Sequence, residues 1–126
     1  MALELSVFRK EDENTVIIKL KGQLDTETHT QLLDKSRQLI AKAVTGAILD
    51  LAELEYVSSM GISAILMSKK MFEEKGASFV MANIPVQIAK VFEIVKALPD
   101  VKVFESMEEA DRYFMEIQKR AKDTSG

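Results

Sequence analysis

A chain of 126 residues with a formal net charge of −3 fits one domain and lacks the cationic excess that nucleic acid or an anionic membrane selects. Its 47% hydrophobic content suffices for one core, and 29% charged residues supply a soluble surface. With no cysteine and a single histidine, His29, disulfides, thiolate chemistry and a zinc site of several imidazoles are excluded.

Met1 to Lys10 alternates polar and apolar residues, without the basic start and apolar run of a secretory signal. Leu3, Leu5 and Val7 set a two-residue period, as do Val16, Ile18 and Leu20, with the polar cluster Glu11-Asp12-Glu13-Asn14 between them. That pattern predicts an antiparallel hairpin, ended by Gly22. From Thr26 the period lengthens: Leu32, Leu33, Ser36, Leu39, Ile40 and Ala43 mark an amphipathic helix, with Asp25, Thr26 and Thr28 as candidate caps.

Ala47 to Leu51 is almost entirely apolar, as a central strand covered on both faces must be. A second helix is predicted from Ser58 or Ser59 to about Lys75, with Gly76 as its left-handed cap. Ser78 to Ala82 is a further short strand. Pro85 opens a third helix with a stripe of Ile88, Val91, Phe92 and Val95, and Pro99 closes it. Val101 to Phe104 is the last strand, and Met107, Ala110, Tyr113, Phe114 and Ile117 give a fourth helix.

The order ββαβαβαβα predicts an α/β fold, a mixed but mostly parallel sheet with helices packed on it. Residues 1–126 form one domain with a polar tail at about 122–126. The longest mostly apolar segment, Met60 to Met67, is too short to cross a bilayer. A soluble, cytoplasmic protein without direct nucleic-acid or membrane partners is expected.

In open α/β sheets, sites gather at the carboxyl ends of strands. Two loops qualify, Gly22 to Thr26 and Glu53 to Gly61. In the second, Ser58 and Ser59 stand at a helix start, where free N–H groups and a partial positive charge stabilise a phosphate. Gly61 permits close approach to the backbone. Spacing alone favours a plain N-cap at Ser58 or Ser59 over a phosphosite, and a cap at Asp25 over a functional carboxylate. Glu53 and Glu55 read as a solvated loop, His29 as a surface residue, and Met60, Met67 and Met71 as core or near-core residues of one helix, with an exposed Met at the helix start as the other reading, suited to an adaptable interface. The sequence offers no catalytic constellation, metal site or Gly-rich phosphate loop, so neither enzyme activity nor a cofactor is expected.

The segment Leu49-Asp50-Leu51-Ala52-Glu53-Leu54-Glu55-Tyr56-Val57-Ser58-Ser59-Met60-Gly61-Ile62 resembles the signature of STAS domains, specifically bacterial anti-sigma factor antagonists. In that family an apolar strand leads into Asp-Ser-Ser/Thr-Gly-Leu-Gly at a helix start. Gly22-Gln23-Leu24-Asp25 resembles the family's Gly-x-Leu-Asp, whose Asp lies beside the phosphosite. Ala82-Asn83-Ile84-Pro85 resembles the segment before its third helix. Ser58 replaces the family's Asp, and Met60 its second Ser or Thr.

The resemblance implies that Ser59 is the phosphorylated serine, with Ser58 the second choice. It makes Asp25, Ser58, Ser59, Met60 and Gly61 the partner-binding residues. The implied partner is an anti-sigma factor that doubles as a serine kinase and holds Mg-ATP itself, with a phosphatase as the resetting partner. Phosphorylation would end the complex and so regulate sigma-factor-dependent transcription. Two other readings stand beside it. One is a phosphorylation-independent STAS interaction or scaffold module of a larger complex or transport system, favoured by the missing Asp. The other is a small-ligand or nucleotide-binding α/β domain using the Ser58–Gly61 helix start.

Overall fold

A computed structural model describes residues 2–10, 14–95, 102–113 and 116. The predicted hairpin forms from β1 (Leu3–Arg9) and β2 (Thr15–Leu24), antiparallel, with Leu5 opposite Leu20 and Val7 opposite Ile18. Of its connecting polar cluster, 11–13 lie outside the described residues. Next come α1 (His29–Ala41), β3 (Gly46–Val57), α2 (Ser59–Glu74), β4 (Ser78–Ala82), α3 (Val86–Val95) and β5 (Lys102–Phe104). Residues 107–113 form a last helical segment, α4. Of the residues named above, Met1, Pro99, Val101, Phe114, Ile117 and the tail at 122–126 also lie outside the described ones.

The five strands lie in chain order, and every pair after the hairpin is parallel. Parallel strands that advance in one direction with crossovers of one hand place their helices on one face. The packing agrees. Leu32, Ile65, Phe72, Ile88 and Phe92 from α1, α2 and α3 join Val16, Ile18, Leu49 and Met81 of the sheet in one buried cluster. Between α1 and α2, the buried Ser36 hydroxyl donates to Ser68 Oγ at 3.0 Å, so neither helix buries an unpaired hydroxyl there. The opposite face carries a smaller cluster of Ile48, Val80, Ala82 and Ala110, with Met107, Tyr113 and Phe104 beside it. An ion pair between Lys10 and Asp111 ties α4 to the end of β1.

Ala47, Ile48 and Leu49 are wholly buried, as a strand covered on both faces requires. Two expected boundaries move. Gly22 does not end β2; it sits inside the strand at φ +104°, where a Cβ would stand 2.5 Å from the Ala2 carbonyl oxygen. The third strand does not stop at Leu51 but runs to Val57. Pairing with β2 continues through register shifts after Lys19 and Gly22, and these bulges turn Leu51, Leu54 and Val57 inward at three-residue spacing. The segment read as a loop is therefore largely strand. The β3–β4 ladder ends earlier, at Asp50 opposite Ala82. There Asp50 Oδ1 accepts from Ala52 N at 3.0 Å and Asn83 Nδ2 at 3.1 Å, and Asn83, at φ +59°, turns the chain away.

Candidate functional site

The long β2–β3 ladder decides where the site residues meet. Leu24 pairs with Val57, and the next amide, Ser58 N, donates to the Leu24 carbonyl at 3.0 Å. Asp25 and Ser58 therefore leave the sheet side by side, each leading into a helix.

The turn into α1 is closed on itself. Asp25 Oδ1 accepts from Glu27 N at 3.0 Å, from Thr28 N at 3.1 Å and from the Thr28 hydroxyl at 3.1 Å. Thr28 Oγ1 also lies 2.7 Å from the Gln23 carbonyl and accepts from Asp25 N at 3.0 Å. Thr28 occupies the cap position, yet Asp25 does the capping: its carbonyl accepts His29 N at 2.8 Å. Half-buried His29 places Nδ1 2.8 Å from the Thr26 carbonyl.

The start of α2 is open. Ser58 is the N-cap, in extended conformation, and its side chain accepts from Gly61 N at 3.2 Å. Its carbonyl accepts Ile62 N at 2.9 Å and begins the helical ladder. Ser59 and Met60, the first two helical residues, are exposed, Met60 at 45%. At these positions backbone N–H groups have no partner within the helix, and no acidic residue in the first turn offsets the positive end of the dipole. The two serines thus differ: Ser58 Oγ is engaged at the cap, whereas Ser59 is on the surface beside unpaired donors.

Gly61 is buried, and the space a Cβ would need belongs to this chain. It would stand 2.3 Å from the Leu24 carbonyl oxygen and 2.9 Å from Val57 Cγ2. Its missing side chain thus serves the contact between the helix start and β2, where the sequence suggested the approach of another molecule. Met67 departs from the core or near-core expectation at 53% exposed, Met71 packs against the core, and Met60 is the exposed methionine at the helix start that was the other reading for it. Both exposed methionines lie on the outward side of α2 with Ser63.

Glu53 and Glu55 are exposed strand residues. Glu53 lies 2.6 Å from Lys19 Nζ and 3.8 Å from Lys21 Nζ. The hydrogen bond and charge of Lys19 hold the Glu53 carboxyl below the usual carboxylate range, and Glu53 raises Lys19 in return. Among the described residues no group of three or more His, Asp or Glu could hold a metal ion, and no helix is long and apolar enough to cross a membrane. A hollow of about 450 Å3 lined by Arg37, Ile40, Ala41, Met71, Glu74 and Lys75 lies at the far end of α2 from Ser59, so it adds nothing to the Ser58–Gly61 helix start.

Sequence reasoning missed Asp50 as the residue that ends β4 pairing, and it missed the outward aspect of Tyr56, 51% exposed, and Val86, 71% exposed. The three-residue spacing of Leu51, Leu54 and Val57 was the available signal for the long β3.

A mixed five-stranded sheet, three helices on one face and a serine-bearing helix start at the end of β3 define the class. A profile of the STAS domain matches residues 7–110, and the chain belongs to that family. It is 26% identical over 94 residues to the anti-sigma-B factor antagonist of Bacillus subtilis (strain 168), covering 73% of this chain and 84% of that one. Its fold is similar to the unphosphorylated form of the anti-sigma factor antagonist SpoIIAA (25% identity, TM-score 0.74, 90% of this chain and 96% of that one). It is also similar to the phosphorylated form of the Bacillus cell fate determinant SpoIIAA (27% identity, TM-score 0.66, 89% and 99%).

Proposed function

We propose that this protein is an anti-sigma factor antagonist switched by phosphorylation of Ser59. The unmodified form binds an anti-sigma factor and so frees a sigma factor. The exposed hydroxyl of Ser59 at the uncapped first turn of α2, beside a Ser58 already spent on the cap, is the observation that carries this reading. Two relatives named as anti-sigma factor antagonists, one of them solved in both unphosphorylated and phosphorylated forms, support it.

On this reading the chain is a substrate. The partner is a serine kinase that holds Mg-ATP; this chain needs no cofactor of its own. Ser59 Oγ attacks the γ-phosphorus, the new P–O bond forms as the bond to the β-phosphate oxygen breaks, ADP leaves, and the hydroxyl proton passes to a base of the kinase. The phosphoserine carries about −1.5 to −2 charges at neutral pH, close to the free N–H groups of Ser59 and Met60. The helix therefore tolerates the group, and the change falls on the surface the partner meets, through repulsion and desolvation. A phosphatase hydrolyses the ester and resets the switch. The exchange takes place in the cytoplasm.

The test is incubation of wild type, Ser59→Ala and Ser58→Ala with source-organism lysate and Mg-ATP, followed by phosphosite mapping and capture of bound proteins. Phosphate on Ser59, absent from Ser59→Ala, with an ATP-binding kinase held only by the unmodified form, is the expected result. Phosphate on Ser59→Ala, or a Ser59→Asp protein that holds the same kinase as tightly as wild type, would sink the switch. Ser58 in place of the family's Asp favours a second reading, a constitutive STAS scaffold whose binding ignores phosphorylation.

A further inference from the structure

The outer edge of β1 is a seven-residue strand edge with no strand beyond it among the described residues. Such edges present unpaired N–H and C=O groups and are ordinarily blunted by charge, proline or a bulge. The centre of this one, Leu5-Ser6-Val7-Phe8, carries none of these. Leu5 and Val7 point toward the core yet are only partly buried, and Phe8 on the other face is 53% exposed.

We infer that this edge is the docking surface for a second copy of the chain, the two β1 strands pairing antiparallel about a two-fold axis at Ser6. Directly opposed residues of an antiparallel pair share a face. That register sets Leu5 against Val7 of the second copy, twice, and carries the helix-covered core across the junction. Leu3 faces Arg9 of the second copy and Glu4 faces its Phe8, so no like charges oppose each other. Glu4 in turn pairs across the hairpin with Lys21. A hollow of about 240 Å3 lined by Glu4, Ser6, Phe8, Lys19, Lys21 and Glu53 lies on this outer face. The ring of Phe8 from the second copy comes to its rim, where the Lys21 ammonium can meet the aromatic face.

The overhang of β3 past Asp50 is the other long edge, and it refuses the same pairing. Antiparallel self-pairing about Leu54 would set Glu53 against Glu55 twice, and like charges directly opposed are destabilising. One strand pair buries little surface, so the dimer is reversible and of the weak class. Since β2 separates β1 from β3, the contact leaves the start of α2 free, and the inference does not rest on the Ser59 switch.

Sedimentation equilibrium of the full chain from micromolar to millimolar concentration tests it. Wild type should pass reversibly from monomer to dimer. Ser6 is exposed, and Ser6→Glu places two carboxylates together at the axis; its dissociation constant should rise at least about fivefold, as should that of Ser6→Lys. An equimolar mixture of the two variants should recover the dimer. A wild type that stays monomeric to millimolar concentration overturns the inference. So do Ser6 variants that dimerise like wild type, or a mixture that stays monomeric.

Discussion

Two helices start side by side at the ends of β2 and β3, and they are finished in opposite ways. At α1 the Asp25 carboxylate takes three hydrogen bonds and its carbonyl two more, so the turn spends its polar groups on itself. At α2 a single serine oxygen accepts one amide, and the first two helical residues face solvent. The end of β2 brings a carboxylate and a hydroxyl and the end of β3 two hydroxyls, so only at α1 does an acidic group already answer the backbone donors. Local capping residues thus do not identify a site. What identifies it is the balance of donors and acceptors left after capping.

Five substitutions break or sharpen that contrast. The largest effect is expected at the contact that joins the two helix starts. Gly61→Ala drives a methyl group into the Leu24 carbonyl, a backbone atom that cannot step aside. It should cost about 3 kcal/mol in urea unfolding, with loss of partner binding from a shifted α2 start. Asp25→Ala strips the closed turn of its acceptor and should cost about 2 kcal/mol, read by the same unfolding curves. A stability equal to wild type would mean that solvent replaces the carboxylate freely.

Within the open start the two serines should separate cleanly. Ser58→Ala removes the cap and should cost about 1 kcal/mol, whereas Ser59→Ala should change stability by less than about 0.5 kcal/mol while abolishing phosphorylation. Equal losses from both would deny the division of labour between them. The smallest effect belongs to the exposed Lys19–Glu53 pair on the outer face. Glu53 is held low by Lys19, so its contribution is present above its unfolded pKa and is lost as pH falls through the folded value. Lys19 is held high by Glu53, so its contribution is present below the unfolded lysine pKa and lost as pH rises through the folded one. The stability difference between wild type and Glu53→Gln should therefore be flat near neutrality, vanish in acid below the usual carboxylate range, and shrink with added salt.

Much of this architecture is legible in the residue pattern. The alternation of Leu3, Leu5 and Val7 against Val16, Ile18 and Leu20 names the hairpin, and the apolar run Ala47 to Leu51 names the central strand. Ser58 to Gly61 marks a helix start because serine caps and the period lengthens after it. The length of β3 was not legible. Bulges replace the two-residue period of Leu51 to Val57 with a three-residue one, and Glu53, Glu55 and Tyr56 look like loop residues until β2 is seen pairing with them. Met67 follows the same rule: a thioether at a helical position reads as core until its neighbours show which side the other helices cover.

Sequence alone determined the order of elements, the identity of the central strand and the helix start at Ser58, because periodicity and capping are properties of adjacent residues. Only the tertiary structure decided which serine is spent on the helix and which is offered to solvent. It also showed that Gly61 is small for the sake of Leu24 and that Asp25 is sealed into its own turn. Each of these depends on where β2 ends relative to β3, a distance between segments more than thirty residues apart in the chain, as Leu24 and Val57 are. Local pattern carries no record of that distance; the register of the parallel ladder sets it.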